Sequence, residues 1–164
     1  MAIDRQKKVP VSVDLDLQNL ILSDPQVGEL LGCLDDAHLR IALLHHPPFT
    51  PWFTDFDVIM QTVELPSFDF ILRGHDHWEQ FIQLDPHLPG NNKQVFHVAS
   101  GALYTHKTYP NNFNAVQIDL DAGKGRNYWW RYDSLYRTWV KHTSRASNGY
   151  ITFALPGDMR RRVK

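Results

Sequence analysis

The chain has 164 residues, a formal net charge of −1, 43% apolar content and 12% aromatic content. That is the size of one globular domain, with enough apolar sequence for a core and a composition far from that of a disordered chain. The near-neutral balance gives no global reason to expect nucleic acid or an anionic membrane as partner.

No apolar run approaches the roughly 18 residues of a membrane span. Met1 to Pro10 is charged and poor in apolar residues, unlike a signal peptide. Cys33 is alone, which excludes an internal disulfide and fits a reducing, cytoplasmic setting.

In chain order, Val9 to Leu22 is apolar but interrupted by Asp14 and Asp16, and reads as an alternating strand plus a connection. Asp24-Pro25 is a helix start, a capping acid followed by proline at the first helical position. Val27, Leu30, Leu31 and Leu34 then give one buried stripe. Gly28 and Gly32 weaken that helix but would permit close packing on a sheet, and Asp35-Asp36 ends it. Leu39 to Leu44 is almost wholly aliphatic, as expected of a parallel strand covered on both faces.

His45 begins where that strand stops, and Pro47-Pro48 forbids continuation. Phe56, Ile59, Met60 and Val63 supply a second helical stripe closed by Pro66, and Phe68 to Leu72 is the next strand, broken by Gly74 just before His75. Strand, helix and strand in this order predict a right-handed parallel unit. Both histidine clusters then emerge at the carboxyl edge of one sheet, where open α/β sheets build their sites.

Beyond His77 the pattern changes to strands without helices: Trp78 to Leu84, Gln94 to Ala99, Ala115 to Leu120 and Tyr128 to Tyr132, with Tyr150 to Leu155 as a final edge strand. Turn residues at Pro86–Asn92, Tyr109–Asn112 and Asp121–Gly125 separate them, which predicts a mostly antiparallel region beside the parallel part. The organisation reads as an amino-terminal segment over 1–22, an α/β domain over 23–134, and an extension with a basic tail over 135–164.

His45-His46-Pro47-Pro48 and Gly74-His75-Asp76-His77 carry the chemistry. Imidazole is the commonest protein ligand for borderline transition metals. A glycine allows a sharp turn before His75, and alternate side chains of an extended segment would present His75 and His77 to one pocket.

The two motifs in this order, each after an apolar strand, resemble the carboxyl-terminal half of the calcineurin-like metallophosphoesterases. The resemblance runs from about Leu39 to Asp133 and includes the turn Ser100-Gly101-Ala102. It implies a partial metallophosphoesterase sandwich and hydrolysis of phosphoric mono- or diesters by a metal-bound hydroxide. It also implies a centre of two divalent transition metals (Mn, Fe or Zn). His45, His75 and His77 would be ligands, with His46 beside the substrate in a catalytic role. The phosphate-ester substrate is not specified by the residues, and nucleic acid enters only as such a substrate.

The sequence departs from the family upstream. Asp-x-His, Gly-Asp-x-x-Asp and Gly-Asn-His do not precede His45 in order. Asp36-Ala37-His38 has the right letters but precedes its strand, and Asp85-Pro86-His87 and Gly90-Asn91-Asn92 follow the second cluster. Imidazoles alone do not balance two divalent cations. An upstream polypeptide or partner chain would therefore have to complete the centre; the alternative is a non-catalytic remnant or binding module.

The remaining features read as structural. His97 lies in an apolar strand and His106 in a turn. The aromatic and basic run Arg126 to Tyr132 reads as a sheet face rather than a base-stacking platform, and the basic tail Met159 to Lys164 as a solvated end. Tyr150-Ile151-Thr152-Phe153 after Trp139 resembles, faintly, the tail of phosphoesterase domains fused to bacterial signalling ATPases.

Overall fold

A computed structural model describes residues 20–21, 24–34, 36–48, 52–55, 67–75, 77–84, 94–103, 110–157 and 159. The expected strand over 9–22 (all but its end), the helical stripe over 56–63, Asp76, His87, His106 and the tail beyond Met159 lie outside the described residues.

The chain forms a strand-rich α/β fold with two four-stranded sheets. Helix α1 (Asp24–Gly32) begins at the predicted cap. Leu31 and Leu34 pack inward, whereas Leu30 is 52% exposed, so the expected stripe is only partly buried. Among the described residues no atom lies within 4 Å of the Cβ position of Gly28 or Gly32.

Strands β1 (Ile41–Leu44) and β2 (Phe70–Arg73) are parallel, with Leu44 beside Arg73. Asp69, buried just before β2, receives the Arg40 backbone N–H at 2.8 Å and fixes the amino end of the pair. Strand β3 (Gln80–Leu84) follows, but β4 (Val95–Ala99) inserts between it and β2, giving the order β1-β2-β4-β3. Strand β4 is parallel to β2 and antiparallel to β3. The region after His77 is thus mostly antiparallel, as the sequence pattern predicts, and the β2–β4 pair is its parallel link to the first strands. All five residues of β4 are buried, as a central strand requires.

The second sheet is antiparallel. Strand β5 (Asn112–Asp119) pairs with β6 (Lys124–Asp133) through the turn Asp121-Ala122-Gly123. There Gly123 has φ +64° and Asp119 Oδ1 accepts the Ala122 N–H at 2.8 Å. The far edge of β6 is divided. Strand β7 (Thr138–Lys141) takes Trp130–Asp133, and β8 (Tyr150–Ala154) takes Lys124–Tyr128. The sequence pattern did not show β7.

Two cores lie on opposite faces of the first sheet. Ala42, Phe68, Ile71 and Val95 meet Leu31 and Leu34 on one side. Phe70, Phe96 and Val98 meet Phe153, Leu155 and Met159 on the other, and that contact joins the sheets. Phe153 lies tilted against Phe96 at 4.7 Å and Phe81 at 4.8 Å, ring centre to ring centre. Its ring occupies the space where a side chain on Gly125 would lie.

The second sheet leaves part of β1 uncovered: Ile41 is 42% and Leu43 76% exposed. The expectation of a strand covered on both faces fails there; a cavity of about 240 Å³ lined by Ile41, Leu72, Val116 and Ile118 lies beside Ile41.

Candidate metal centre

The carboxyl ends of β1 and β2 lie side by side, and the histidines follow from that register. His45 leaves directly from β1, while the Gly74 N–H donates to the Leu44 carbonyl at 3.3 Å and aligns the exit of β2. The Ser100 N–H donates to the Arg73 carbonyl at 2.9 Å, so the Ser100-Gly101-Ala102 turn occupies the same edge.

His45, His46 and His75 each point a ring nitrogen into one group, with those atoms within 4.8 Å of one another. Ring centres are 4.8 Å apart for His45–His46, 5.4 Å for His45–His75 and 4.3 Å for His46–His75. His45 is exposed and the other two are half-buried, so the group opens to solvent on one side. Among the described residues the group holds imidazoles without a carboxylate, and His77 stands outside it. Sequence reasoning placed His45, His75 and His77 on the metals and His46 nearer the substrate; the structure instead brings His46 in.

The loop geometry accounts for that difference. His75 and His77 have φ +70° and +58°, so neither lies in extended backbone and alternation does not direct both rings into one pocket. Gly74 is not the left-handed residue of the turn; the two histidines are. Non-glycine residues in that region cost of order 1–3 kcal/mol each and persist where surrounding contacts hold them, often at functional sites.

Trp52 and Phe53, which sequence reasoning did not single out, form the wall of the group. The Trp52 ring lies 4.5 Å from His75 and 5.1 Å from His46, and Phe53 lies 6.4 Å from His46. Backbone bonds on both sides of Phe53 hold this segment: the Leu20 N–H donates to the Trp52 carbonyl at 3.2 Å, and the Thr54 N–H donates to the Leu20 carbonyl at 2.8 Å. The available signal was closeness along the chain, since Trp52 follows His46 by six residues. Pro47 and Pro48 are themselves fully buried.

Two other histidines are placed by the fold. His97 is 1% exposed in β4, and burial, reinforced by the Arg73 guanidinium, pushes its pKa down to about 4. It stays neutral near pH 7, in keeping with a structural role. His142 lies between β7 and β8; burial lowers its pKa, and the Glu79 carboxylate opposes that shift.

Neutral imidazoles suit one borderline divalent ion. Two nitrogens on a tetrahedral ion lie roughly 3.4 Å apart. The observed group, at 4.8 Å or less, is a loose form of that arrangement. Two ions do not fit these residues alone, because nothing in the group bridges or neutralises them.

The chain matches no protein-family model and no curated protein. No helix among the described residues is long and apolar enough to cross a membrane.

Proposed function

We propose that the chain is the imidazole-bearing half of a metal-dependent phosphoesterase, acting on phosphoric mono- or diesters. The observation that supports this reading is the convergence of His45, His46 and His75 at the carboxyl ends of two adjacent parallel strands. A bound divalent ion there supplies Lewis-acid polarisation of a phosphoryl oxygen and a more acidic water. His45, His46 and His75 would hold the ion. Trp52 excludes water from one side of the rings, and the exposed edge at His45 admits substrate. In the resembling family His77 is also a ligand and the centre is dinuclear. The group among the described residues lacks carboxylates, and this reading takes them from an upstream polypeptide or a partner chain.

The bare imidazole group also favours a second reading, a metal-binding module without turnover. Zinc or manganese titration of the 164-residue chain, followed by hydrolysis of a generic phosphodiester, separates the two. Binding of one ion that is lost in His75→Ala supports the site. Turnover that appears only on adding the upstream polypeptide or partner supports the phosphoesterase half. Absence of binding at millimolar metal refutes both. The lone Cys33, exposed after α1, suits a reducing cytoplasmic compartment.

A further inference from the structure

The histidine loop has a second fixed end. Glu79, two residues beyond His77, is 2% exposed. Its Oε2 accepts from Asn112 Nδ2 at the start of β5. Its Oε1 accepts from Arg145 Nε at 2.7 Å, and His142 Nδ1 lies 3.1 Å away. Arg73 Nη2 donates to Gln80 Oε1 at 2.7 Å and draws the two ends of the loop together.

Between the Gly74–Leu44 bond and this clamp lie His75 and His77, both left-handed. A histidine seldom adopts that conformation, so it persists through the contacts around the loop, and the two fixed ends are among these. Arg145 and His142 come from the connection between β7 and β8, far along the chain from the loop they reach.

We propose that Arg145 is a positioning residue for the histidine cluster: by holding the buried Glu79 carboxylate it keeps His75 turned towards His45 and His46. The proposal rests on the reading of that cluster as a metal centre. Arg145 suits the role chemically. Its planar guanidinium is always charged and donates in a fixed direction, which a lysine does not reproduce. Burial lowers the His142 pKa, so the permanent positive charge facing Glu79 within this connection is that of Arg145. Neither residue touches the metal group, and the effect passes through backbone geometry.

The test compares wild type, Arg145→Ala and Arg145→Lys by amide hydrogen exchange and by zinc titration. In Arg145→Ala the amides of 74–78 are expected to exchange at least about tenfold faster while those of β6 change by less than about twofold. Zinc affinity should fall about 10- to 100-fold, the usual effect of removing a group that orients ligands. Arg145→Lys should recover part of both.

Exchange that rises uniformly across the fold, or does not change at 74–78, overturns the proposal. Where Arg145→Ala does not fold, Arg145→Lys carries the same comparison: faster exchange confined to the loop supports the role, and none overturns it. Wild-type protein that binds no zinc overturns the metal reading, while the exchange pattern still decides whether Arg145 holds the loop.

Discussion

Replacing Gly101 by alanine should be among the most damaging single-methyl additions in this fold. A Cβ there would lie 1.1 Å from Asn112 Oδ1, 2.3 Å from its Cγ and 2.9 Å from its backbone oxygen. The side chain of Asn112 must swing away, which breaks its bond to the buried Glu79 carboxylate. Losing a buried hydrogen bond to a charged group costs about 2 kcal/mol. The residual clash with backbone, relieved only by shifting the start of β5, adds about 2 kcal/mol. With a urea m-value of about 2 kcal/mol/M, a loss of about 4 kcal/mol lowers the midpoint by about 2 M.

Asn112→Ala alone should cost about 2 kcal/mol, so independent effects would sum to about 6 kcal/mol in the double variant. Because the double variant has no Asn112 side chain to displace, its cost should be nearer 4 kcal/mol, a coupling of about 2 kcal/mol. Urea unfolding followed by tryptophan fluorescence measures all three. A Gly101→Ala loss below about 1 kcal/mol, or strict additivity, refutes the argument.

Phe153→Ala removes the ring that joins the sheets and should cost about 3–5 kcal/mol in the same assay, with the m-value unchanged. Arg137→Gly, at φ +50° on the exposed turn between β6 and β7, should raise stability by about 0.5–1 kcal/mol; a loss would argue against that turn. His97 binds its proton more readily unfolded than folded, so acid draws the chain towards the unfolded state. Stability should therefore fall as pH drops from the ordinary histidine value near 6.5 to about 4, by about 3 kcal/mol, and then level off for this group. His97→Gln should flatten that part of the profile; urea midpoints at pH 7, 5.5 and 4.5 decide it.

The site-bearing edge was largely legible because it rests on short-range signals. Apolar runs mark β1 and β2, prolines and glycine mark where they stop, and a strand–helix–strand order predicts that they lie parallel. The place of β4 was not legible, since periodicity reports burial and not neighbours. Its run Val95-Phe96-His97-Val98-Ala99, apolar on both faces, nevertheless carried a hint of a central strand. Strand β7 escaped because Thr138-Trp139-Val140-Lys141 is short and follows a turn whose apolar residues, Leu135 and Tyr136, are exposed.

The exclusion of His77 from the imidazole group depends on two backbone angles that histidine seldom adopts, which no pattern of residue types encodes. Nothing in the sequence pattern singles out Glu79, which falls within the run Trp78 to Leu84. Its partners Asn112 and Arg145 lie 33 and 66 residues away.

The divided edge of β6 bears on how the molecule assembles. Strands β5, β6 and β7 are joined by tight hairpins and can zip together from local contacts. Strand β8 must instead close a longer loop to reach the other half of the same edge, pairing Tyr150 with Tyr128. The contact from Arg145 to Glu79 closes a longer loop still. The expected order is therefore hairpins first, β8 next, and the histidine loop last. Pulse-labelled amide exchange during refolding should show protection in β6 before protection at 74–78; the reverse order would contradict it. On this route the imidazoles come together only after almost the whole described chain is in place, so a nascent or partly unfolded molecule would offer a metal no organised site.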